Sequence, residues 1–191
     1  DGSRKDKYVF DGVYTFNRVQ AVTELLKREK FNNAAGGKLY RKSVCDIQLS
    51  GKKLTSDVYR EYRRLCRFKN MVVTVKPKYF FYRHDKNQSG LNTTAEITPQ
   101  KMMKYLTSNR ERTLFLQKEV PELAGFVHYC ELSFMISLYQ RIYHLNVTSC
   151  YDIAEDMLQS LRSCRNLLPQ YSWFTDDERR FLSDMHLLEA N

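Results

Sequence analysis

Residues 121–145, PELAGFVHYCELSFMISLYQRIYHL, constrain the fold more than any other stretch. Over residues 123–145 the apolar side chains fall on almost every side of a helical projection. Phe126, Val127, Cys130, Phe134, Ile136, Leu138 and Ile142 cannot share one face, so this helix has to be wrapped by others. A membrane span is the rival reading, but Glu131, Gln140 and Arg141 interrupt every window of about 18–20 residues. The stretch is therefore read as a buried core helix. Pro121 suits a first-turn position, and Gly125 allows a neighbour to approach closely.

Hydrophobic residues make up 42% of the 191, enough to bury a core in one domain or two small ones. Charge divides the chain more sharply. Residues 1–120 carry 26 Lys and Arg against 12 Asp and Glu, a net +14. Residues 121–191 carry 5 Arg and no Lys against 10 acids, a net −5. This asymmetry predicts a polyanionic partner for the first part and a different role for the second.

The five cysteines, Cys45, Cys66, Cys130, Cys150 and Cys164, are odd in number and irregularly spaced. Cys66, Cys130 and Cys164 fall at apolar positions of predicted helices, where a reduced cysteine packs as a small hydrophobe. That pattern predicts a reducing, intracellular setting, and an expected nucleic-acid partner would make it nuclear or another compartment that holds nucleic acid. Three Asn-x-Ser/Thr sequons, at Asn87, Asn92 and Asn146, point the other way, towards a secreted glycoprotein. Two of them share one polar loop whose composition favours such matches. No stretch reads as a signal peptide or transit segment, and a cleaved leader would leave no trace.

Residues 8–14 read as a short extended piece or a tight hairpin about Asp11-Gly12. Thr15 is then expected to cap a helix over 16–31, with Arg18, Lys27, Arg28 and Lys30 on its outside. Residues 32–38 are a glycine-containing break, and 39–53 fit either a helix or a strand. Thr55 or Ser56 can cap a helix over 57–68. Its stripe is Val58, Tyr59, Tyr62, Leu65 and Cys66, with Arg60, Arg63, Arg64 and Arg67 on much of the remainder. Residues 71–75 and 79–83 are β-branched and aromatic and predict two strands joined by Lys76-Pro77-Lys78. Residues 84–97 form a polar boundary loop. Thr98-Pro99 opens a helix running towards Val120. Ser149 is placed to cap a helix over 150–168 that Pro169 ends. Thr175 with Glu178 is a capping box for a last helix over 176–189.

Helices followed by a two-stranded ribbon give the element order of a winged helix-turn-helix, in which the last helix enters a groove and the ribbon tip touches backbone. Arg60, Arg63, Arg64 and Arg67 on the helix, with Lys76, Lys78 and Arg83 on the ribbon, are the candidate phosphate contacts, and Lys86 follows them. The bland alternative is a solvated face whose arginines pair with Asp57 and Glu61. Tyr79 to Tyr82 are aromatics beside cations, as in single-strand binders, though packing of a small hairpin explains them as well.

Metal and catalytic patterns do not assemble. His128 and Cys130 point to different helix faces, and His144 with Cys150 and Cys164 matches no zinc spacing. His128 and His144 read instead as an interior hydrogen-bonded group and a helix-end group. Residues 35–39, AGGKL, resemble a phosphate loop but lack its first glycine and its Ser/Thr. Asp176-Asp177-Glu178 is a first-turn acidic run, expected from the helix dipole alone.

The expected fold is mainly α (α+β). A basic, winged-helix-like unit with a β-ribbon spans 8–86, and a four-helix bundle around 121–145 spans 97–191. The two pack as one domain if a half of about 90 residues has too little core of its own. The expected function is non-enzymatic, with no catalytic residue, metal or cofactor. The basic unit would hold DNA or RNA backbone and the acidic bundle a protein partner. The alternative is a protein-interaction scaffold without nucleic acid.

Overall fold

The computed structural model describes residues 12–31, 38–45, 57–74 and 97–188. The chain is mainly helical with a small two-stranded antiparallel sheet. It divides into two compact units, Asp1–Asn87 and Gln88–Asn191.

In the first unit, strand β1 (Val13–Asn17) leads directly into helix α1 (Arg18–Lys27). The helix was expected to begin at residue 16 under a Thr15 cap; Asn17 caps it instead. The Asn17 side chain accepts from the Gln20 amide at 2.9 Å, and Gln20 Oε1 accepts from the Asn17 amide at 3.0 Å. A Thr15 cap would place Arg18 three residues on, and a guanidinium cannot accept the returning bond, so the reciprocal box wins. Phe16 is thereby left in the strand, its ring 6.2 Å from that of Tyr14. Gly12 precedes the strand at φ 93°, a value that suits glycine. Asp11 and the rest of the expected hairpin lie outside the described residues.

Helix α1 stops at Lys27 rather than 31. Arg28 takes φ 60°, and its amide donates to the Glu24 carbonyl at 2.8 Å. The buried Glu24 carboxylate then accepts from the Lys30 amide and stands 3.5 Å from Lys30 Nζ, which turns the chain back.

The ambiguous stretch 39–53 contains a single described helical turn, α2 (Lys42–Cys45). Helix α3 (Asp57–Leu65) falls where expected but ends in a turn at Cys66 and Arg67; its expected caps lie outside the described residues. Tyr62, Leu65 and Cys66 are buried with Ala21, Val22, Leu25 and Phe31. Strand β2 (Asn70–Thr74) was expected to pair with residues 79–83, which are not described. Among the described residues its partner is β1, antiparallel, with Tyr14 opposite Val73 and Phe16 opposite Met71. That register puts those four half-buried side chains on one face and leaves Val13, Thr15, Val72 and Thr74 on the solvent face.

In the second unit, Thr98 caps helix α4 (Pro99–Glu119), accepting from the Lys101 amide at 3.4 Å, and Pro99 occupies the first turn. A 3₁₀ turn at Pro121–Leu123 leads into helix α5 (Ala124–His144). Helices α4, α6 (Tyr151–Ser163) and α7 (Asp176–Asp184) pack against α5. The wrapped-helix expectation holds: Phe126, Val127, Ile136, Leu138 and Ile142 are buried, and Cys130 and Phe134 are half-buried. Ser137, Gln140, Arg141 and His144 remain on an exposed strip.

Helix α6 is shorter than the expected 150–168. The expected Ser149 cap is not made, because Ser149 lies in a 3₁₀ turn, Thr148–Cys150. The helix closes at Cys164, and Leu168–Gln170 forms a separate 3₁₀ turn that keeps Leu168 buried. The Thr175–Glu178 capping box is present at 2.8 and 3.2 Å. Helix α7 ends at Asp184 rather than 189, because His186 at φ 56° reverses the chain. The His186 amide donates to Ser183 at 2.9 Å and the Leu187 amide to Leu182 at 2.8 Å, which buries both leucines.

Candidate nucleic-acid interface

Among the described residues, the arginines of α3 and its C-terminal turn do not form one exposed stripe. Arg63 is half-buried, its guanidinium 5.7 Å from the centroid of the Tyr62 ring. Arg64 turns inward, with its side chain 19% exposed, its guanidinium 5.0 Å over the Tyr40 ring and Nη1 3.8 Å from Glu61. Arg67 is exposed. The Arg60 side chain lies outside the described residues, as do Lys76, Lys78 and Arg83.

Glu61 explains the turn of Arg64. It is fully buried, and its two carboxylate oxygens accept from the Tyr40 hydroxyl at 2.7 and 2.8 Å. Lys38 Nζ stands 3.1 Å away. A carboxylate in this position is strongly unfavourable without cations and donors around it, and Lys38, Arg64 and Tyr40 supply them. Burial raises the Tyr40 phenol well above its ordinary pKa, and the bond to Glu61 and its charge raise it further. Lys38, from the glycine-rich segment that resembles a phosphate loop, thus ties residues 38–40 to α3.

Cations gather elsewhere. A groove of about 490 Å³ lies between the start of α1 and the turn that joins α3 to β2. Asn17, Arg18 and Val19 line one side; Cys66, Arg67, Phe68 and Lys69 line the other. Three of the seven are cationic, none of the described lining residues is acidic, and the first turn of α1 carries no acid. The positive end of the α1 backbone adds to the same field. Phe68 is held at its ring by Tyr40, centroids 6.1 Å apart and 27° from parallel. Only Arg67 of this set was a candidate from the sequence. Arg18 was assigned to the outside of a helix beginning at residue 16. The Asn17–Gln20 pair was the signal that could have placed it in a first turn.

The helical unit holds a second polar group of side chains. His128 Nδ1 is 2.7 Å from the Tyr171 hydroxyl, as an interior hydrogen-bonded histidine should be, and Glu131 pairs with Arg110 at 2.9 Å. Burial lowers the His128 pKa; Glu131 opposes that shift and Arg110 adds to it. His144 is exposed at the end of α5. Among the described residues no three of His, Cys, Asp or Glu are grouped so as to hold a metal ion. No described helix is long and apolar enough to cross a membrane. The chain matches no protein-family model, no curated protein and no solved structure.

Proposed function

We propose that this chain is a non-enzymatic nucleic-acid-associated protein, or a subunit of a nucleoprotein assembly. It works inside the cell, grips phosphate backbone through its basic unit and docks a protein through its acidic helical unit. In this reading the basic unit is of winged-helix type, with residues 71–83 as its ribbon, and the second unit is a four-helix bundle around α5.

The observation that carries the reading is the groove at the start of α1, which Arg18, Arg67 and Lys69 line with no acid among the described lining residues. Gathering like charges on one surface raises the local potential and favours a multivalent anion. The candidates Arg60, Lys76, Lys78 and Arg83 remain part of the proposed surface. Arg63 stays among them, whereas Arg64 is assigned to covering the buried Glu61.

Binding of the full chain to labelled duplex and single strands across a salt series tests this. Affinity should fall linearly with log salt, by about 0.9 per phosphate engaged on a duplex. Arg67→Gln and Lys69→Gln should each flatten the slope by about one. Arg64→Gln should leave the slope alone and lower the urea midpoint, because it uncovers Glu61. No salt-dependent binding, or slopes indifferent to Arg67 and Lys69, overturns the reading and makes the groove a site for an acidic protein surface.

A further inference from the structure

Resting on the nucleic-acid reading, we infer that the groove seats one nucleotide of a single strand, with its phosphate among Arg18, Arg67 and Lys69 and its base on Phe68. The chain therefore prefers single strands to duplex. The groove, about 490 Å³, is largely open to solvent, so a guest lies along it and is not enclosed. A duplex keeps its bases stacked inside and presents its phosphates, so it meets the cations without placing a base on Phe68. A single strand can turn one base inward.

The lining fits that guest. Phe68 stands between Arg67 and Lys69 in the chain, and Arg18 lies across the groove, so the aromatic platform and the phosphate ligands belong to one site. The platform is fixed in advance. Tyr40 supports the Phe68 ring, and the Tyr40 hydroxyl is itself held by the buried Glu61, whose two carboxylate oxygens share its one proton. A ring braced in this way loses little freedom when a base stacks on it. Stacking does not distinguish ribose from deoxyribose, so both backbones belong to the inference.

The test is fluorescence anisotropy with the full chain at one fixed salt concentration. The probes are a short labelled DNA strand, the RNA strand of the same sequence, both duplexes, and a DNA strand of equal length carrying abasic sites throughout. Single strands should bind at least about ten-fold more tightly than duplexes. The abasic strand, which keeps every phosphate, should lose about ten-fold while keeping its salt slope. Phe68→Leu should weaken the ordinary strand by a similar factor and leave the abasic strand unchanged. The abasic arm needs no altered protein, so a folding defect in the variant cannot mask the result. Equal affinity for duplex and strand, or an undiminished abasic strand, overturns this inference while leaving backbone binding intact. Absence of binding to every probe overturns the nucleic-acid reading itself.

Discussion

His128 shows how one side chain can couple the helical unit to pH. Burial holds its pKa below the ordinary value of 6.5; Glu131 opposes that shift less strongly, and Arg110 adds to it. Just below pH 6.5 the unfolded chain takes up a proton that the folded chain refuses. The stability present above that pH is therefore lost as pH falls through this window, and the loss stops below the folded pKa. Unfolding followed through Trp173, whose ring lies 6.0 Å from that of Tyr171, should show a lower midpoint at about pH 5.5 than at about pH 7.5. The loss should be under about 1 kcal/mol, since His128 is only half-buried and solvent screens its neighbours. In His128→Gln this part of the pH dependence should vanish; an identical profile in the variant refutes the assignment. Burial is also what made Arg64 illegible in the sequence. An arginine three residues after a glutamate reads the same on a solvated face as in a closed network. What closes this network is Tyr40, 21 residues earlier in the chain and in the segment least readable by periodicity.

Helix beginnings were easier to read than helix ends. Thr98-Pro99 and Thr175–Glu178 mark their termini with side chains that satisfy backbone amides, and both caps are in place. The Asn17–Gln20 box was equally present in the letters but lost to Thr15, which displaced Arg18 and with it the groove. Ends at α5 and α7 carried no glycine. Asn146 and His186 take the left-handed position at φ 51° and 56° and close matching pairs of bonds. Asparagine tolerates that conformation, and Asn146 Oδ1 also accepts from the Tyr151 hydroxyl at 2.7 Å. An imidazole has no such aptitude. His186→Gly should therefore stabilise the helical unit by about 1 kcal/mol, a rise of about 4 °C in Tm by calorimetry. Asn146→Gly should gain little, because it gives up the Tyr151 bond. A His186→Gly Tm equal to or below that of the parent would mean that the strain is absent.

At the scale of the whole molecule, charge and apolar core are distributed oppositely between the units. Residues 1–87 carry 21 Lys and Arg against 9 Asp and Glu, a net +12, while residues 88–191 carry 10 against 13, a net −3. The long described core belongs to the second unit, where Leu132, Ile136, Met157, Leu161 and Leu182 are buried in one cluster. The division of charge was legible from composition alone; its local convergence in the groove depended on where two elements meet. Self-repulsion at +12 destabilises the compact first unit, and salt should relieve it. Raising sodium chloride from about 50 to about 300 mM shortens the screening length from roughly 14 to roughly 6 Å, below the spacing of many surface charges. Trp173, the sole tryptophan, reports the second unit, whereas far-UV circular dichroism reports both. The dichroism transition should move up by a few degrees while the Trp173 midpoint hardly shifts. A single strand added at low salt should raise the same dichroism transition, because a ligand that binds only the folded state stabilises it. That gain should fade at high salt, where phosphate contacts weaken. The two effects thus run in opposite directions along one salt axis. Equal shifts in both probes would show that the +12 charge does not act on the first unit alone. A strand effect that persists at about 300 mM would assign the binding to apolar contact rather than to Arg18, Arg67 and Lys69.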